Sequence, residues 1–199
     1  MKNLLLLIFA FFCLNASAQK DLEEQARLIV EEGKRLYRSE MASWYGTDLF
    51  MEKYENHKNI KGYFSYTENE IAKCIFYSAG NSTKVIGTIS FDSSYNLETA
   101  VIDLNERTFS SLEKDLYEIR EIALKEINSD TLFKTYKNTN LNLIPIIHNG
   151  EKKVYILTGP QKNGVVIFGN DYLITFNNNN QLTGKKKLHH NIILKFRRA

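Results

Sequence analysis

Between Tyr63 and Leu104 the chain has one economical way to fold. Four short apolar runs, Tyr63–Tyr66, Ile71–Tyr77, Val85–Phe91 and Thr99–Leu104, follow one another, separated by polar turns such as Thr67-Glu68-Asn69, Ala79-Gly80-Asn81-Ser82 and Asp92-Ser93-Ser94. Parallel neighbours need a crossover of about a dozen residues or more, whereas antiparallel neighbours need only a tight turn. The spacing therefore predicts an antiparallel meander. In the third run Val85, Gly87, Ile89 and Phe91 fall on one strand face because side chains alternate along a strand.

A helix is expected on either side of this meander. Asp21 with Glu24 reads as a capping box, in which a side chain and a carboxylate three residues on satisfy free amides at a helix start. Leu22, Ala26, Ile29, Gly33, Leu36 or Tyr37, Met41 and Trp44 then recur at three- and four-residue spacing, the pattern of an amphipathic helix running to about Met51 and bent near Gly46. Ser110 with Glu113 is a second capping box. Phe109, Leu112, Leu116, Ile119, Ala123 and Ile127 mark the buried face of a helix over Ser111–Asn128.

The last third returns to strands. Asn149-Gly150 joins Leu141–His148 to Lys153–Leu157, a strong hairpin signal because both turn residues tolerate positive φ. Val165–Phe168, Tyr172–Phe176 and Leu188–Phe196 follow. The fold class is thus α+β: a long N-terminal helix, an antiparallel meander, a second helix and a second antiparallel meander. Two arrangements fit a single domain over 19–199: αββββ halves at 19–105 and 106–199 sharing a core, or one larger sheet with two covering helices. Val154-Tyr155-Ile156-Leu157-Thr158-Gly159-Pro160 and Gly164–Leu173 resemble a segment of short exported bacterial proteins of unknown function. That resemblance covers about a third of the chain and implies no activity and no site residue.

Export is expected from the N-terminus itself. Lys2 is followed by an apolar stretch, Leu4–Leu14, and then by Ala16-Ser17-Ala18, the layout of a secretory signal peptide cleaved after Ala18. Phe11 and Phe12 before Cys13 do not make a lipobox. The apolar run is short for a membrane span, and the mature chain holds no other candidate span. The mature product is therefore expected in a periplasm-like or extracellular space. Cleavage would leave Cys74 as the sole cysteine, so no intrachain disulfide can form. Stability must come from a packed core, which 43% hydrophobic residues in a 199-residue chain can supply.

The familiar catalytic motifs are missing. There is no Gly-x-Ser-x-Gly elbow, no P-loop and no dinucleotide fingerprint. His57, His148, His189 and His190 lack the spacing of a metal site, so no metal and no cofactor are expected. Cys74 lies among apolar residues, unlike an activated nucleophile. Asn170-Asp171 sits in a turn that can aim two polar side chains at one point, with an ordinary Asx turn as the plain alternative.

Two surfaces stand out. Trp44 and Tyr45 late in the first helix, with Tyr63 and Tyr66 opening the first sheet, are candidates to line a groove for an apolar or sugar ligand. After Asp171 no acidic residue occurs, while Lys185, Lys186, Lys187, Lys195, Arg197 and Arg198 do. This basic edge either meets an anionic partner or protects an exposed strand from unwanted pairing. With a formal net charge of +3 and no aromatic interleaving at that edge, nucleic acid is not expected. The favoured reading is an exported envelope binding or accessory protein whose ligand, partner and oligomeric state the sequence leaves open. The alternatives are a hydrolase drawing on His148, Asp171, His189 and Cys74, and an inhibitor or immunity-type protein.

Overall fold

The computed structural model describes the backbone of residues 2–80 and 82–196 and the side chains of 22–80 and 82–195. The expected signal peptide and cleavage site fall on side chains outside the described residues. The chain divides into two compact units, Met1–Arg38 and Ser39–Ala199. Helix α1 spans Lys2–Lys53. Its backbone is helical through 21–24, the Asp21 side chain of the expected capping box lies outside the described residues, and Glu24 pairs with Arg27 at 2.6 Å. No described helix is long and apolar enough to cross a membrane.

The buried face of α1 also differs from the expected one. Leu22, Ile29, Tyr37 and Trp44 are 66%, 72%, 60% and 69% exposed. In the second unit Ser39, Ala42, Gly46 and Phe50 are buried instead, at spacings of three, four and four. Small residues win because they let the helix backbone approach the sheet. A Cβ on Gly46 would lie 2.6 Å from Cys74 Cβ, well inside contact distance.

In the second unit, β1 (Ile60–Glu68), β2 (Ile71–Ser78), β3 (Val85–Phe91) and β4 (Val101–Asp103) form an antiparallel sheet in sequential order. One face carries Ala72, Cys74, Phe76, Ile89 and Phe91 against Ala42 and Phe50 of α1. The Phe50 and Phe76 rings stack with centroids 3.7 Å apart. Val85 does not share the face of Ile89 and Phe91. The β2–β3 register shifts at Phe76/Tyr77, and this bulge turns Val85 into a second cluster with Phe64, Tyr66, Ile75, Tyr77 and Leu116.

Leu116 belongs to α2 (Ser111–Ser129), which opens with the expected capping box: the Ser110 side chain accepts from the Glu113 amide, and the Glu113 carboxylate accepts from the Ser110 amide. Ile119 and Ala123, farther along α2, pack with Val154, Ile156, Tyr172, Ile174 and Phe176 of the second sheet. That sheet is antiparallel, with strands β5 (Thr139–His148), β6 (Glu151–Pro160), β8 (Tyr172–Phe176) and β9 (Leu182–Lys187) in that order. Asn149 and Gly150 both hold positive φ at the β5–β6 turn. One helix thus contributes to the cores of both sheets.

The C-terminal strands differ in extent from the expected ones. β9 falls on the basic stretch, where a lysine-protected edge strand is one of the two expectations, and it forms the outer strand of the second sheet. Its three consecutive lysines hide its bounds, because an edge strand needs no apolar alternation. The expected strand Leu188–Phe196 shortens to β10 (Ile193–Phe196). It pairs with β7 (Val165–Phe168) in a separate two-stranded ribbon.

Candidate functional site

The α1 face that misses the core shapes a cavity. Glu40, Ser43, Trp44, Thr47 and Asp48 recur at helical spacing and lie beside the buried stripe. They form one wall of a cavity of about 270 Å³. Tyr63 and Phe64 of β1, Arg120 of α2 and Leu141, Asn142 and Leu143 of β5 complete the lining. The helix is pinned to β1 by Ser39 Oγ, which donates to the Ser65 carbonyl at 3.0 Å, and by a 2.8 Å bond between the Ser43 and Ser65 hydroxyls. These bonds fix the height at which Trp44 stands over the cavity. Trp44 and Tyr63 remain 69% and 40% exposed, which is unusual for large aromatics beside a formed core.

The polar groups here are incompletely partnered. Asn142 donates to Glu40 Oε2 at a long 3.3 Å. Burial pushes the Glu40 carboxyl above the ordinary carboxylate range, and the Asn142 amide only partly offsets this. Arg120 Nη1 donates to the Tyr77 hydroxyl at 2.8 Å, while Arg120 Nε is buried without a hydrogen-bond partner. Burial likewise raises the Tyr63 phenol. The site therefore offers an indole face, carboxylate acceptors and amide and guanidinium donors around a space somewhat smaller than the ~300–1,000 Å³ of drug-sized ligand sites.

Of the four aromatics expected at a groove, Trp44 and Tyr63 line this cavity. Tyr45 and Tyr66 do not. Tyr45 turns toward the core beneath α1, with its ring centroid 6.4 Å from that of Phe91. Tyr66 is buried on the other side of the sheet, where its hydroxyl donates to Glu113 Oε1 at 2.8 Å. Neighbours on a helix point about 100° apart and Trp44 takes the cavity side, so Tyr45 cannot. Glu40 had a sequence signal, four residues before Trp44 on the same helical face. Arg120 and Asn142 had none, because tertiary packing alone brings α2 and β5 to this point.

The hydrolase set is only partly assembled. Asp171 Oδ2 lies 3.2 Å from His189 Nε2, and its Oδ1 accepts from the Thr158 amide at 2.8 Å. Burial raises the Asp171 carboxyl, opposed by the Thr158 amide and by His189. Cys74 is fully buried, and burial pushes its thiol up to about 12, which removes it as a nucleophile. His148 ends β5 and is exposed. Asn170 is a structural residue: buried at 1% exposure, it accepts from Tyr172 and donates to the Lys134 carbonyl and to the Thr158 hydroxyl. Among the described residues no three His, Cys, Asp or Glu side chains converge as a metal site.

The basic edge is divided. Lys185, Lys186 and Lys187 lie on β9, the outer strand of the second sheet. Lys185 is held by Glu126 and Asp130 at 2.7 and 2.6 Å. Lys195 lies on β10, and Arg197 and Arg198 fall outside the described residues. Comparison of the chain with protein families, curated proteins and solved structures gives no match.

Proposed function

We propose that this chain is an exported envelope protein whose cavity binds one ring of a neutral sugar or a similar polyol without turning it over. The observation that carries the reading is Trp44, largely exposed over a cavity rimmed by Glu40, Asp48, Asn142 and Arg120. A pyranose has an apolar C–H face and an equatorial ring of hydroxyls. The first stacks on an indole. The second matches planar carboxylates that accept and amide or guanidinium groups that donate. Two acidic side chains against one arginine, itself paired with Glu121 at 3.4 Å, give a rim that disfavours an anionic ligand. A hydrolase built on Asp171 and His189 has weaker support: the nearby Thr158 hydroxyl is already bonded to the Asn170 carbonyl at 2.7 Å.

Trp44 is the only tryptophan in the chain, so its emission reports on the cavity directly. Titration with a panel of neutral and N-acetylated monosaccharides is expected to give a saturable change with a Kd of roughly 0.1–1 mM, or about −4 to −5.5 kcal/mol. No saturable change with any of these sugars, or sugar binding by calorimetry that survives in folded Trp44→Ala, would overturn the proposal.

A further inference from the structure

The ribbon of β7 and β10 is independent of the cavity. Its register pairs Ile193 with Phe168, Leu194 with Ile167 and Lys195 with Val166. Alternation puts Val166, Phe168, Ile193 and Lys195 on one face and Val165, Ile167 and Leu194 on the other. The second face borders a small hollow of about 130 Å³ lined by Lys137, Asn138, Thr139 and Lys162. The first face is open, with Phe168, Ile193 and Val166 54%, 54% and 43% exposed, and on the second face Leu194 is also 53% exposed. An isolated two-stranded ribbon is marginal in water, and three adjacent exposed apolar side chains add to that cost.

The surrounding charge is of one sign. Lys195 stands on the open face opposite Val166, and Lys137 and Lys162 border the other. Lys186 and Lys187 sit on β9 shortly before the ribbon's second strand, and no acidic residue follows Asp171 in the chain. Asp171 itself is occupied by the Thr158 amide and His189. Among the described residues Lys137, Lys162, Lys186, Lys187 and Lys195 form no ion pair, in contrast to Lys185. We propose that this ribbon docks the protein on an anionic lipid surface, with Phe168, Ile193 and Val166 entering the acyl boundary and Lys195, on the same face, meeting the headgroups. Apolar side chains beside an unneutralised lysine suit that interface: hydrocarbon takes up the first while lipid charge holds the second, and the basic residues around the ribbon add a longer-range attraction.

The test places a reporter on the ribbon. Full-length Phe168→Trp is mixed with phosphatidylcholine vesicles containing about a third phosphatidylglycerol and brominated acyl chains. Wild type, with Trp44 alone, supplies the background. The expected result is a blue-shifted, quenched emission on these vesicles that fades as salt rises, with Lys195→Gln weakening vesicle affinity about fivefold. Emission that stays unquenched, or is quenched equally on pure phosphatidylcholine, overturns the proposal. So does a blue shift that appears without lipid and grows with protein concentration, since a second copy would then be covering the face.

Discussion

Glu113 and Glu40 are both glutamates facing the interior from a helix, and they are treated in opposite ways. Glu113 is 1% exposed and has a full set of partners. Arg107 grips it with two bonds of 2.6 and 2.7 Å, the Tyr66 hydroxyl donates at 2.8 Å and the Ser110 amide at 2.8 Å. Burial alone would raise its carboxyl, yet Arg107, the Ser110 amide and Tyr66 together hold it at about 2. Glu40 has one long bond from Asn142, and its carboxyl moves up. A carboxylate saturated by protein donors is a structural tie. One left short of donors beside a cavity has acceptor capacity to spare, which is the ground on which the proposed site rests.

The largest effect that would break this comparison belongs to Glu113. Glu113→Ala leaves Arg107 and Tyr66 facing a buried void, and loss of a buried pair costs about 3–5 kcal/mol. The low end is expected, because the Arg107 side chain is 36% exposed and screened by water. Urea denaturation measures it, and a loss under about 1 kcal/mol would remove Glu113 from the structural class.

Acid titration gives the next largest effect. The folded value of Glu113 lies below the ordinary 4.5, so its contribution is present above pH 4.5 and is lost as pH falls toward 2. The amount is roughly 3 kcal/mol. Glu40 has the opposite sign. Its folded value is raised, so its contribution to folding is fully present below pH 4.5 and is lost as pH rises from there through the raised folded value. Glu113→Gln should flatten the acid limb of the stability curve, and Glu40→Gln should leave that limb in place. An unchanged acid limb in Glu113→Gln would contradict the assignment.

Glu113 was also the more legible of the two. Ser110 and Glu113 form a local motif three residues apart, and such motifs survive without knowledge of the fold. So did the β1–β4 meander and the Asn149-Gly150 hairpin, where turn chemistry lies within a few residues. The face of α1 was misread because large apolar residues were given to the core. In fact Ser39, Ala42 and Gly46 govern how near a helix can come to a sheet, and their small size carries little hydrophobic signal. β9 was legible only as a lysine-protected edge without bounds, because its pairing is set by β8 rather than by its own Lys185-Lys186-Lys187 composition. At the cavity, Trp44 and Tyr63 announced themselves as aromatics. Arg120 and Asn142 reach it only through packing between α2, β5 and α1, which no local pattern encodes.

The comparison sharpens at the cavity, where stability effects should be small and of reversed sign. Glu40→Gln keeps the shape and removes a charge that burial disfavours, so at neutral pH it should raise stability by roughly 0.5 kcal/mol while weakening sugar binding about tenfold. Trp44→Ala should change stability least, within about 0.5 kcal/mol. The indole is mostly in water, and alanine is the better helix former, which offsets the little packing lost. Yet the same change removes the surface on which a sugar ring would stack, so binding should fall beyond detection by calorimetry. A residue held for stability must cost folding energy when it is truncated. Glu113 is expected to do so, and Trp44 is expected to give up binding alone. If Trp44→Ala instead unfolds the protein while Glu113→Ala is tolerated, the roles are exchanged and the cavity is packing rather than a site.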